Sequence, residues 1–270
     1  MPLEEITIAQ VLKEVGYRTA CIGKWHLGHK TPYLPTSRGF DPYFGLPYSN
    51  DMILPWCPWL SEEDRLFMYV DTLPIEEIGK RQKNLITDFS DKAIEFIQSH
   101  NDEPFFLYLA HSMPHLPISA PDNFIGTSLA GLYGDVIETV DWTIGEINKV
   151  LSEQNLEENT LVIFTSDNGP WHNLPERMLQ EGNKPWHTGS GGMLRGAKAT
   201  TYEGGQRVPA IMVWPGRIPA GSMNRDIVTG LDIFPTLVNL ADAEPPNIPL
   251  DGLDILPVIV EGEASPRNTF

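Results

Sequence analysis

Four short stretches of this 270-residue chain carry side chains suited to handling an oxyanion. Lys24 and His26 stand two residues apart in Gly23-Lys24-Trp25-His26-Leu27-Gly28. On an extended backbone this spacing points both to one side. It pairs a positive charge with an imidazole that can donate a hydrogen bond or a proton near neutral pH. His111 and His115 flank Ser112-Met113-Pro114, and Pro114 restricts the backbone leading into His115. An imidazole there is a candidate general acid. Asp167-Asn168-Gly169 offers neighbouring carboxylate and amide oxygens, which suit a hard cation such as Ca²⁺ or Mg²⁺. Lys198 follows Arg195-Gly196-Ala197, small residues that let the backbone come close to a ligand.

Each stretch also has an ordinary reading. Asp-Asn-Gly is a common turn signature. A lone lysine is most often solvated, and a lone histidine often packs or caps. Two oxygens do not complete the about six to eight that calcium takes. Taken together, a hard-metal half-site, two lysines and two histidines make a pocket for a compact tetrahedral oxyanion ester. Each charge-assisted hydrogen bond to such a group contributes roughly 1.5–3 kcal/mol. The same charges stabilise negative charge that builds on the transferred group and the leaving oxygen.

The elements that must position these side chains follow from periodicity. Ile8, Val11, Leu12 and Val15 form a helical stripe over 5–15, closed by Gly16. A strand is predicted over 18–23, then a long ordered loop over 29–60, rich in proline, glycine and aromatics. A second helix spans 84–100, with Phe89, Ala93, Phe96 and Ile97 facing inward. Further strands are predicted at Phe105–Ala110, 160–165 and 209–214, with helices at about 131–151 and 232–240. Helix and apolar strand alternate, which predicts an α/β fold with a mostly parallel sheet buried on both faces by helices. Ligands bind beyond the carboxyl ends of such strands. Lys24/His26, His111/His115 and Asp167/Asn168 all follow predicted strands, and Lys198 precedes the last one.

Composition narrows the partners. There are 19 basic and 36 acidic residues, a net charge of −17, which argues against nucleic acid. Apolar residues at 41% and charged residues at 20% are globular proportions. No apolar run reaches the ~18 residues of a membrane-spanning helix. Met1-Pro2-Leu3-Glu4-Glu5 has neither the basic nor the apolar part of an export signal. Cys21 and Cys57 are too few for a disulfide framework or a thiolate metal site, and allow one disulfide at most.

The stretch Gly16-Tyr17-Arg18-Thr19-Ala20-Cys21-Ile22-Gly23-Lys24-Trp25-His26-Leu27-Gly28 resembles a signature segment of the type I sulfatases, in the arylsulfatase A-like branch of the alkaline phosphatase superfamily. Gly39-Phe40-Asp41, Pro47-Tyr48-Ser49-Asn50-Asp51, Phe105–Ala110 with Pro114-His115, 161–170, 198–209, 231–240 and Leu250-Asp251-Gly252 match in the same order. The resemblance covers nearly the whole chain. It implies an alkaline-phosphatase-like fold and hydrolysis of sulfate esters, aryl or small carbohydrate, by a formylglycine nucleophile with Ca²⁺ rather than Mg²⁺. By matching motif, it implies that Asp167 and Asn168 are metal ligands and that Lys24 contacts nucleophile and sulfate. It further implies that His26 serves the formylglycine hydrate, that His115 and Lys198 bind sulfate and assist the leaving oxygen, and that Ser49 lines the substrate pocket. His111 has no counterpart.

The chain departs from the family pattern in one respect that bears on chemistry. No Cys/Ser-x-Pro-x-Arg, the formylglycine motif, occurs in it, and the family's two N-terminal aspartates are missing. The expectation is that residues 1–270 form a partial catalytic domain, truncated at both ends, that holds sulfate but does not turn it over alone. A periplasmic, secreted or lysosome-like location is expected of the full-length protein. Two alternatives accompany this reading: a phosphodiesterase or phosphonate hydrolase of the same superfamily, and a non-catalytic module for sulfated ligands. Loops 50–80 and 171–193 are expected to shape the leaving-group pocket. The charge of −17 disfavours a long polyanionic glycan.

Overall fold

A computed structural model of the chain describes residues 1–99, 102–180 and 182–269. Positions 100 and 181, inside a predicted helix and a predicted variable loop, lie outside the described residues. The predicted elements form, mostly shortened by a few residues. Helix α1 (Ile8–Glu14) starts at a capping box, in which Thr7 accepts from the Gln10 amide and the Gln10 side chain accepts from the Thr7 amide. Strand β1 (Arg18–Lys24) follows.

Residues 29–60, predicted as loop, contain a strand, β2 (Tyr43–Leu46). It is bracketed by Pro42 and Pro47, too short to show a period, and it forms because β1 supplies a parallel ladder from Cys21↔Tyr43 to Lys24↔Leu46. An antiparallel hairpin of β3 (Phe67–Val70) and β4 (Leu73–Glu77) extends that side. Its outer strand is fully exposed and carries Glu76 and Glu77, charges that blunt a free edge. On the other side of β1 lies β5 (Phe105–Ala110), parallel to it, so the sheet order is β4-β3-β2-β1-β5.

Helices cover both faces of this sheet, as predicted, and β1 shows why. Ala20 and Ile22 join one core with Phe89 and Ala93 of α2 (Leu85–Gln98) and Val136 and Val140 of α3 (Gly131–Glu153). Cys21, facing the other way, joins a second core with Ala9 of α1, Trp25, Phe40 and Tyr43.

The last two predicted strands, β6 (Val162–Thr165) and β7 (Ala210–Val213), pair antiparallel with each other in a separate ladder. Parallel return of a strand usually needs a helical crossover. Among the described residues the intervening chain holds a short 3₁₀ turn and the one-turn helix α4 (Glu203–Gln206). After β7 come α5 (Ile233–Leu240), which packs against α1, and α6 (Leu256–Val260). Strand β5, predicted as buried on both faces, is only half-buried, and Tyr108 is 45% exposed. Among the described residues it pairs with β1, and it also lines an open cleft. Among the described residues no helix is long and apolar enough to cross a membrane.

Candidate active site

Side chains from the ends of β1, β5 and β6 converge on one cleft, which Lys24, His26, His115, Asp167, Asn168 and Lys198 all line. The ends of β1 and β5 leave the sheet together because Gly23 sits against Ala110. A Cβ on Gly23 would come within 1.9 Å of the Ala110 carbonyl oxygen. Lys24 is the last residue of β1. The expected extended alternation stops there, since His26 has φ +55° and donates its backbone N–H to the Pro47 carbonyl at 3.2 Å. His26 therefore reaches the cleft through a left-handed turn rather than by strand alternation, and its ring sits edge-on to Tyr48.

The Asp167 turn and the Lys198 loop are held together backbone to backbone. Gly169 donates to the Gly205 carbonyl at 2.9 Å and leaves no room for a Cβ, which would lie 1.9 Å from the Gly204 oxygen. The Lys198 amide donates to the Pro170 carbonyl at 2.9 Å. Its ammonium lies 5.6 Å from the Trp171 ring centroid, and that ring lies 6.0 Å from the His115 ring. Trp171, unmarked in the sequence, thus spaces two of the predicted residues.

The two histidines after β5 separate in role. His111 has both ring nitrogens shielded and without a hydrogen-bond partner among the described residues, and it packs 6.3 Å from the Phe89 ring. Burial pushes its pKa down to about 4, so it is a neutral packing residue. His115 is the cleft histidine. Its Nδ1 lies 2.6 Å from the Leu116 carbonyl oxygen and 3.5 Å from Ser49 Oγ. A carbonyl only accepts, so the neutral ring carries its proton on Nδ1 and keeps Nε2 free.

Asp51 and Arg177 complete this arrangement, and the sequence reading assigned neither a role. Asp51 Oδ1 is 4.0 Å from His115 Nδ1, and its Oδ2 is 3.4 Å from Arg177 Nη1, which also donates to the Trp56 carbonyl at 2.6 Å. Buried Asn50 locks the turn to the His115 loop by donating to the Pro117 carbonyl at 3.1 Å and to Gln82 Oε1 at 3.2 Å. Asp51 lies within the quoted Pro47–Asp51 motif, so its position was visible. Arg177 is 126 residues away, and no local signal links them.

The charged groups of the cleft act on one another's protonation. Burial lowers the Lys24 pKa, opposed by Asp167 and reinforced by Lys198. Burial, then Lys198 and Lys24, lower that of His115 against the opposing pull of Asp51. His26 is lowered by burial and by Lys24. These mutual effects require the groups to share one neighbourhood.

As a metal site the residues do not suffice. Asp167 and Asn168 provide one carboxylate and one amide oxygen, and among the described residues no cluster of three or more His, Cys, Asp or Glu is arranged to hold a cation. Lys24 and Lys198 nearby repel one. Neither cysteine supplies a nucleophile. Both are buried and free, and burial raises the pKa of each thiol.

Three comparisons bear on this arrangement. A family model described as Sulfatase matches residues 2–243. The dog N-acetylgalactosamine-6-sulfatase is 37% identical over all of this chain and 51% of its own length. Rat arylsulfatase G is 39% identical over 96% of this chain and 54% of its own length. Among solved structures, the PsFucS1 sulfatase from Pseudoalteromonas sp. superposes with a TM-score of 0.80 at 30% identity, over 95% of this chain and 55% of that one. The chain spans about half the length of the curated relatives it matches.

Proposed function

The chain belongs to the sulfatase family, and we propose that it forms the sulfate-holding part of a sulfate-ester hydrolase site. The observation that carries this reading is the convergence of Lys24, His115 and Lys198 on one cleft from three separate parts of the chain. Two ammonium groups and an imidazole can surround a tetrahedral anion with charge-assisted donors. Lys24, the last residue of β1, holds the sulfate. Lys198 and His115, spaced by Trp171, take its other oxygens and the ester oxygen. Protonated His115 donates a hydrogen bond to the ester oxygen. Nδ1 is engaged by Leu116, so the N–H that reaches the ester is the one on Nε2. His26 lies near enough to Lys24 for the two charges to interact, and Ser49 supports His115.

No nucleophile belongs to this chain, because Cys/Ser-x-Pro-x-Arg is absent and both thiols are buried. Calcium, the metal implied by the resemblance, finds only the Asp167–Asn168 half of a shell. We therefore assign binding and orientation to these residues and no covalent step. The substrate class we propose is a sulfate monoester of a small carbohydrate or aryl alcohol. The names of the relatives support it, and the charge of −17 disfavours a long polyanion.

Titration calorimetry with inorganic sulfate tests the reading. The chain is expected to bind sulfate, and Lys198→Ala to weaken it by about tenfold or more, the equivalent of one charge-assisted bond. No binding, or equal affinity of the two proteins, overturns the proposal. Turnover of an aryl sulfate by the pure chain would contradict the assignment of binding without chemistry.

A further inference from the structure

Trp171 stands beside both residues assigned to the ester oxygen. The Lys198 ammonium lies 5.6 Å from the centroid of its ring, and the His115 ring lies 6.0 Å away, tilted by 45°. An ester oxygen is the one bridge between sulfate and alcohol, so the first carbon of the alcohol sits one bond from the oxygen that both residues approach. What that carbon carries runs past Trp171. The indole is held in place by its surroundings. It packs against the main core and also lines the cleft. Both of its neighbours in the chain are fastened: the Pro170 carbonyl accepts from the Lys198 amide at 2.9 Å, and His172 Nε2 donates to the Gly189 carbonyl at 3.2 Å. Gly189 is itself wedged, since an added Cβ would lie 2.7 Å from the Tyr133 hydroxyl oxygen and 3.4 Å from Pro170 Cβ. Next to the indole, Thr188, Gly189, Ser190 and Gly191 line the same cleft. Their small side chains leave width for a ring, and the two hydroxyls offer hydrogen bonds to its substituents.

We propose that Trp171 is a specificity-determining wall of this site: its indole receives the ring of the alcohol whose sulfate Lys24, His115 and Lys198 hold, so that the chain selects esters of ring-bearing alcohols over open-chain alkyl sulfates. The inference rests on the sulfate reading and deepens it by naming what recognises the alcohol. The shared chemistry of the preferred ligands is a flat apolar ring face, which both an aryl group and the C–H face of a pyranose present. An indole offers a large apolar surface to such a face. Because its neighbours are already fastened, the wall contributes to binding with little further cost of ordering. A methyl or other short alkyl group covers little of the indole and gains correspondingly little. Selection is the difference between these affinities, and the charged groups contribute equally to both because they hold the same sulfate.

Titration calorimetry with three sulfate esters tests it: methyl sulfate, which has no ring, phenyl sulfate and glucose 6-sulfate. The chain is expected to bind at least one ring ester about fivefold or more tighter than methyl sulfate, and which one it prefers distinguishes an aryl ring from a pyranose. Trp171→Leu is expected to abolish that ratio, and Trp171→Phe, which keeps an aromatic face, to retain most of it. The ratio is read because Trp171 also spaces Lys198 from His115, and loss of that role by itself would weaken all three esters by one factor. A Trp171→Leu protein that weakens all three alike, or that keeps the preference, therefore overturns the inference. Equal affinity for the three esters in the unmutated chain overturns it without any variant. Methyl sulfate binding with no ring preference overturns this inference and leaves the sulfate reading standing, whereas no binding of any of the three overturns both.

Discussion

Asp51 stands between two cationic partners of different kinds, with Oδ1 4.0 Å from His115 Nδ1 and Oδ2 3.4 Å from Arg177 Nη1. Arg177 carries its charge at every ordinary pH, whereas His115 carries one only on demand. A buried carboxylate held by a permanent cation orients the imidazole without neutralising it outright. Burial, then the two lysines, push the His115 pKa down against the opposing pull of Asp51.

Sulfate affinity is expected to depend on pH through this pair. The His115 pKa lies below the ordinary 6.5, lowered by burial and by Lys198 and Lys24. Affinity should therefore rise as pH falls through that lowered value and should change little from pH ~7 upward until Lys24 titrates. Asp51→Asn removes a charge that raises the His115 pKa, so the rise should move to lower pH. Calorimetry across pH 5–8 on both proteins checks this, and identical profiles would rule out the role given to Asp51.

His111 should make the fold acid-sensitive. Its pKa is about 4 in the folded chain and about 6.5 unfolded. The unfolded state binds the extra proton between those values, so stability falls as pH drops through that window. The full loss is about 3 kcal/mol at 1.36 kcal/mol per pKa unit. Urea titrations at several pH values should show a shallower slope for His111→Phe, which cannot protonate. Parallel slopes would count against a neutral buried His111.

Arg267 should be a large single contributor to stability. Asp232 is fully buried and accepts from Arg267 Nε at 3.1 Å and Nη2 at 2.5 Å, and from the Thr229 and Leu253 amides at 2.7 and 2.8 Å. Burial pushes the Asp232 pKa up, but the Arg267 and backbone hydrogen bonds outweigh it, and the net shift is downward. Its stabilisation is thus present above pH ~3.8 and lost as pH falls through the lowered value. Arg267→Ala leaves a buried carboxylate without its cation and should lower stability measurably in denaturant unfolding. Arg267→Ala combined with Asp232→Asn should cost less than the sum of the single changes.

Calcium should stabilise this chain very little. A ligand that binds only the folded state raises stability according to its concentration over Kd, and two oxygens beside two lysines make a poor Kd. Thermal unfolding with calcium up to the millimolar range should leave Tm nearly unchanged. A shift of several degrees would show that further oxygens close the shell.

Much of this molecule was legible in local patterns. The stripe of Ile8, Val11 and Leu12 announced α1, and the apolar run at Phe105–Ala110 announced β5. The turns after three strands announced Lys24, His115 and Asp167 at the carboxyl ends of those strands. Those features depend on residues a few positions apart, and near neighbours share one helix face or one strand end whatever the rest of the chain does.

The remaining features were decided by packing. Ser49 and His115 meet across 66 residues, and Asp51 and Arg177 across 126. Chain spacing does not encode such contacts, because they arise only when separate loops are docked by buried clips such as Asn50 and by the Gly169–Gly205 backbone contact. Equivalent-looking His111 and His115 parted for the same reason: one ring is shielded against Phe89, the other faces the cleft. The antiparallel pairing of β6 with β7 follows from which strands find partners in three dimensions. Composition and periodicity give each strand a character but do not choose its neighbours.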